Sequence, residues 1–448
     1  MINSLSSFFD QFLKHRNNRL AKAITGSFGL SIGNAFLNYL ISWLLARFLG
    51  AQGYGAYAYA LAWIKLLLLP AGLGLGGIVI REVAIYTTRE QWNLARGLLG
   101  WSNKIVFYAA AGLALLAGFL TWVFQVGSDP QMLQVLLLSM IALPFLVLSK
   151  LRQSAMQALN YVVVGQFPEM LIRPTLLVIF FIAVYFLSGE GLTASSAMII
   201  YVISSGITFG IGAELLRRRL PEEIQTSQPQ YQSRFWLKSA LPMLFISGMY
   251  LINNQTDTLM LGAIQDSASV GLYTVANRGA LVITFILMAV NTSVAPTFAR
   301  LYAEGNREKL QKVVTKSCYV IILGSLPIAL LFIIFGKWFL LLFGSEFVAA
   351  RTTLTILAIG QLVNAGTGSV GLLLNMTGYE RYTAIGVSIS ALINVILNFH
   401  FISQWGAEGA ALATVISTVI WNIILVVFVY QKLGIYPTAF GKFLKNRS

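Results

Sequence analysis

Twelve apolar stretches, each about the 20 residues that cross a bilayer, leave this chain few ways to fold. They lie at roughly 26–48, 57–79, 104–125, 131–149, 168–188, 194–215, 239–262, 273–297, 317–336, 352–376, 383–402 and 408–431. In lipid every backbone N–H and C=O must bond within the protein, so only helices or a closed barrel can span. Unbroken apolar runs of this length are helices. The expected fold class is therefore an all-α integral membrane protein with twelve transmembrane helices. Composition agrees, with 57% hydrophobic and 10% charged residues against about 25% charged in soluble domains. A net charge of +15 would suggest nucleic acid in a soluble chain. Here it has another source, because cytoplasmic loops collect Lys and Arg.

That source gives an orientation. With these spans, 25 of the 31 Lys and Arg residues fall on one side, and only Arg47, Lys337 and Arg351 on the other. Such asymmetry predicts that both termini are cytoplasmic. The first 25 residues lack the apolar core and cleavage site of a signal peptide. Leu5, Phe8, Phe9, Phe12 and Leu13 oppose Lys14, Arg16 and Arg19, the pattern of an amphipathic helix lying on the membrane surface.

The chain also reads twice. Gly55-Ala56-Tyr57 falls on Gly271-Leu272-Tyr273, residues 157–161 fall on 375–379, and 194–205 on 407–418, at offsets of 213 to 218 residues. Six spans separate the copies, so the halves share one orientation, a parallel repeat about an axis along the membrane normal. The expected organisation is a surface segment (1–25), an N-lobe (26–215), a linker (216–238), a C-lobe (239–431) and a basic tail (432–448). Two six-helix bundles of this kind point to a transporter with a cavity at mid-membrane.

Catalysis and cofactors find little support. Cys318 is the only cysteine, and His15 and His400 are the only histidines, which leaves no basis for a disulfide framework or a zinc site. No P-loop occurs. Gly72-Leu-Gly74-Leu-Gly76-Gly77 matches G-x-G-x-x-G, but that fingerprint needs a preceding strand. Here it ends a membrane helix, and close helix packing explains it better. No cofactor, metal or nucleic-acid partner is expected, and no enzymatic activity.

Ionisable residues inside spans are costly and point to function. Lys65 lies eight residues past Tyr57, about 12 Å below the outer interface, and spans 1 to 4 contain no Asp or Glu. Arg278 lies five residues past Tyr273 on the repeat-related helix, so the two cations share a depth within a turn. Both are candidates to line a cavity that holds an anion, with Asn34, Asn38 and Asn254 as polar lining. Asp257 comes to a depth similar to that of Arg278, so it either forms a salt bridge with it or binds a coupling proton or cation. Glu169 and Arg173, at i and i+4, form either a structural ion pair or a second acidic candidate for coupling.

LLARFLGAQGYGAYAYALAW, GQFPEMLIRP, DTLMLGAIQDSASVGLYTVANRGA, VNTSVAPTFARLYAEGNREKL and LAIGQLVNAGTGSVGLLLNMTGYE, in this order and spacing, carry a resemblance. Over nearly its whole length the chain resembles the polysaccharide-transporter branch, O-antigen flippases included, of the multidrug/oligosaccharidyl-lipid/polysaccharide flippase superfamily. The resemblance implies two pseudo-symmetric six-helix bundles (MATE-like). It implies that an undecaprenyl-pyrophosphate-linked oligosaccharide, an O-antigen or exopolysaccharide repeat unit, is moved across the bacterial inner membrane by alternating access. It implies lipid-linked oligosaccharide and membrane lipids as partners, a polysaccharide polymerase or export complex among them, and a basic cavity lined by helices 1, 2, 7 and 8. Two rivals stay open at this point: a cation-coupled multidrug exporter of the same superfamily, and a membrane glycan polymerase or ligase. The second lacks here the sizeable outer loop that such enzymes use.

Overall fold

A computed structural model describes residues 19–124, 130–187 and 191–437, and all regular structure among them is helical. The surface helix expected in residues 1–25 lies almost wholly outside the described residues. The helices are α1 (Arg19–Gly72), α2 (Leu75–Thr88), α3 (Trp92–Phe124), α4 (Pro130–Met140), α5 (Ala142–Ala158), α6 (Val162–Phe167), α7 (Arg173–Leu187) and α8 (Ala194–Arg219). They continue with α9 (Glu222–Thr226), α10 (Ser233–Ile264), α11 (Ser267–Ala303), α12 (Arg307–Phe343), α13 (Arg351–Gly366), α14 (Val370–Met376) and α15 (Glu380–Leu433). A π-helical turn, Pro168–Ile172, joins α6 to α7.

Two helices are too long for one crossing. At 1.5 Å per residue the 54 residues of α1 or α15 would extend about 80 Å, against a hydrocarbon core of about 30 Å. Each breaks at a glycine. Gly50 has φ 67°, ψ −177° and Gly406 has φ 50°, ψ −127°, conformations that a β-carbon makes costly. The breaks turn each run into two spans with no polar loop between them. The pairs α4–α5, bent by 42°, and α6–α7 each make one. With α3, α8, α10, α11, α12 and α13 the total is the expected twelve.

Helix starts follow local chemistry. Thr193 accepts from the Ser196 backbone in a capping box, Asp266 caps α11 through Ser269 N at 2.8 Å, and Asn306 caps α12 through Lys309 N. Each satisfies a backbone donor that the first turn leaves open. The outer surface is apolar, with Leu115 75% and Leu187 85% exposed, as suits a surface facing lipid.

The chain forms two compact units. The first comprises Met1–Leu44, Leu67–Val123 and Leu137–Phe245. Its core gathers Val79, Leu98, Leu151 and Trp236, with Trp236 Nε1 donating to Tyr86 Oη at 3.1 Å. The segment after span 6 is fastened here, as Gln230 N donates to the Asn93 carbonyl at 3.0 Å. Gly74, with φ 69°, begins α2, and a β-carbon on it would lie 2.6 Å from the Ala240 carbonyl. The glycine-rich run is thus a helix break under close packing.

The second unit comprises Leu45–Leu66, Phe124–Leu136 and Ile246–Ser448. In it the second half of α1 crosses α11 backbone to backbone. A β-carbon on Gly55 would overlap the Ser267 carbonyl, and one on Gly271 would overlap that of Ala51. Glycine alone permits this approach.

Candidate functional site

Lys65 and Arg278 both belong to the second unit. Lys65 projects from the second half of α1, and Arg278 from α11, three turns past the Asp266 cap. The Lys65 side chain is exposed, and the charge of Arg278 bears on it. Among the described residues Lys65 takes part in no salt bridge. Two like charges near each other repel.

Asp257, on α10, is 7% exposed and is the most elaborately bonded carboxylate described. Its Oδ2 accepts from Tyr273 Oη at 2.7 Å and Thr414 Oγ1 at 2.6 Å. Its Oδ1 accepts from Asn398 Nδ2 at 2.7 Å and Asn394 Nδ2 at 3.1 Å. The salt bridge to Arg278 weighed from helix depth is therefore not what Asp257 makes. The reason is angular: Tyr273 and Arg278 are five residues apart on one helix, about 140° around it at 3.6 residues per turn. On α11 it is Tyr273 that bonds Asp257. All four donors are neutral groups. Asn398 Nδ2 also donates to Asn394 Oδ1 at 3.0 Å, tying the two carboxamides together.

The Glu169–Arg173 pair is replaced. Glu169 binds Arg152 instead, whose Nη2 lies 2.6 Å from both carboxylate oxygens and 3.1 Å from the Gly165 carbonyl. Arg173 lies over the Tyr201 ring, 5.8 Å from its centre. Arg152 is 3% exposed, and a buried guanidinium needs an anion more than half-exposed Arg173 does. Glu169 is thus committed to a structural bridge within the first unit. Asn34 and Asn38 are half-buried and bond each other, Nδ2 of Asn38 reaching Oδ1 of Asn34 at 2.8 Å. The side chain of Asn254 lies outside those described.

Sequence reasoning missed Tyr273, Thr414, Asn394 and Asn398 as a group. Asn394 and Asn398 carried a readable signal, two carboxamides at i and i+4 in an apolar span. Tyr273 and Thr414 carried none.

Comparison with known proteins places this geometry in context. A family model described as "Polysaccharide biosynthesis protein" matches residues 20–302, and one described as MatE matches 242–400. The probable flippase AglR of Haloferax volcanii is 26% identical over 421 residues, covering 91% of this chain and 83% of its own length. Among solved structures, an inward-facing multidrug-resistance MATE transporter superposes with TM-score 0.77 at 14% identity, covering 89% of this chain and 94% of its own. The lipid II flippase MurJ, inward closed, superposes with TM-score 0.71 at 17% identity, covering 91% and 87%.

Proposed function

The chain belongs to the polysaccharide biosynthesis protein family, and from that premise we propose that it is a flippase for lipid-linked oligosaccharide. The cargo this reading assigns is an undecaprenyl-pyrophosphate-linked repeat unit, O-antigen or exopolysaccharide. It moves by alternating access across a bacterial inner membrane with both protein termini cytoplasmic. Transport is carried out by the repeat-related halves, 26–215 and 239–431, joined through 216–238. The observation that supports the reading is Lys65, an exposed cation within a membrane span, under the influence of the Arg278 charge and outside every described salt bridge. A pyrophosphate crossing the bilayer must exchange its hydration shell for other charges, and two cations in a wetted space supply them. Asn34, Asn38 and Asn254 are the carboxamides assigned to sugar hydroxyls. Asp257 is assigned the coupling proton or cation, with Thr414, Tyr273, Asn394 and Asn398 around it.

The test is flipping of a fluorescent lipid-linked oligosaccharide in proteoliposomes. Truncating one partner of a desolvated charge pair costs about 2–5 kcal/mol. Lys65→Ala should therefore lower the rate by more than about tenfold, while Lys65→Arg keeps most of it. Native rates in Lys65→Ala would overturn the reading. The rival, a cation-coupled multidrug exporter, draws on the MatE match over 242–400. Efflux of cationic dyes by the native protein, without oligosaccharide flipping, would favour it.

A further inference from the structure

Where α3, the bent pair α4–α5 and α8 meet, the first unit holds a groove of about 640 Å³. All of its lining residues belong to that unit and lie on membrane-spanning helices, and none of their side chains is polar. Two features of the sequence make it. On α3, Phe107, Ala111, Ala114 and Gly118 recur at i, i+4, i+7 and i+11, so they share one helix face and three small residues form a floor. Opposite them Pro144 has no N–H to give the Met140 carbonyl, and α4 bends from α5 by 42°. Phe145 and Phe209, with ring centres 6.2 Å apart, close one side.

Dimensions select the occupant. From Phe107 to Phe119 the groove runs about 18 Å along α3, a little more than one leaflet's share, about 15 Å, of the hydrocarbon core. An extended carbon chain advances about 1.2 Å per bond, a third of the reach of a peptide residue, so about sixteen carbons cover that length. A methylene is about the size of a water molecule, roughly 30 Å³. One such chain therefore takes about 480 Å³, and two would need far more than the groove holds. A partner helix about 10 Å across would need roughly 1,400 Å³ over the same length, so it cannot seat.

The two ends differ in charge. One turn before Phe107 the lining face continues to Asn103 and Lys104, both exposed. Lys104 takes part in no salt bridge among the described residues. One turn after Phe119 the same face continues to Trp122 and Val123, without charge. An ammonium at one end of an apolar groove of leaflet length complements a lipid with a negative headgroup and hydrocarbon behind it.

We propose that this groove binds one acyl chain of an anionic phospholipid, with Lys104 meeting the phosphate. Bound there, the chain fills the notch that the bend opens between α3 and α5. Lys65 and Arg278 belong to the second unit, and the site does not depend on what the protein transports.

The test uses the full-length protein in phosphatidylcholine vesicles with a small fraction of phosphatidylglycerol carrying a diazirine on its acyl chain. After illumination, labelled residues are located by peptide mass spectrometry. Leu115, in the groove, should carry several-fold more label than Leu323 of α12, the same side chain at similar exposure, 75% against 69%. Gly118→Phe grows into the groove, where a β-carbon meets only Leu137 Cδ2 at 3.9 Å, and should cut the label on Leu115 several-fold. Gly112→Phe, off the lining face and with nothing within 4 Å of its β-carbon, should leave it unchanged. Lys104→Ala should reduce the label to the level given by the same diazirine on phosphatidylcholine. Equal label on Leu115 and Leu323 would overturn the proposal, as would native labelling in Gly118→Phe or equal labelling of the native protein by the two headgroups. Displacement by excess polyprenyl phosphate, but not by excess unlabelled phosphatidylglycerol, would overturn it too and give the groove to a prenyl chain. Label that appears only at low protein-to-lipid ratio would overturn it in favour of a second copy of the chain.

Discussion

Gly55 and Gly271, equivalent residues in the two copies of the repeat, lie where α1 and α11 touch, and a β-carbon on Gly55 would sit 2.8 Å from Gly271 N. The same sequence element in each copy thus forms its half of one contact. Close approach of this kind is how helices associate in lipid, where no hydrophobic force draws them together.

Leucine at either glycine must push the backbones apart. Overpacking typically costs about 1–3 kcal/mol, so Gly55→Leu and Gly271→Leu should each lower the thermal midpoint of the purified protein by several degrees. An unchanged midpoint would mean that the crossing contributes nothing to stability.

Glu169 and Arg173 separate clearly in their consequences. Glu169→Gln strands the Arg152 guanidinium, and breaking a buried pair costs about 3–5 kcal/mol, enough to reduce the amount of folded protein in the membrane. Arg173→Ala loses one ring contact and should stay within about 1 kcal/mol of native. Equal losses in the two variants, measured as membrane abundance and thermal midpoint, would contradict the assignment of Arg152 as partner.

Thr414→Val keeps the shape of the Asp257 site and deletes its 2.6 Å donor. Hydrogen bonds to charged groups are worth about 1.5–3 kcal/mol. Thr414→Val should therefore lower the thermal midpoint of the purified protein by a few degrees. An unchanged midpoint would show that this hydrogen bond contributes nothing to stability.

Arg278→Ala relieves the repulsion on Lys65 and also halves the positive charge offered to an anion. Flipping should drop while folded abundance stays native, and Arg278→Lys should restore part of it. Native flipping in Arg278→Ala would assign the anion to Lys65 alone.

Much of this was legible in the chain itself. Span length depends only on local composition, so the twelve helices could be read directly. Asn394 and Asn398 were legible in principle, as carboxamides one turn apart in an apolar span. The partner of Glu169 was not, since Arg152 reaches it from another helix across a loop.

Sequence alone set where each charged residue falls along its helix, because that position is a count of residues at fixed rise. Only the tertiary structure decided which way each one faces and what it meets. A hydrogen bond tolerates a few tenths of an ångström, whereas one residue of helix turns a side chain through about 100°. Thus Asp257 finds Thr414, 157 residues away, and Glu169 finds Arg152 in place of Arg173.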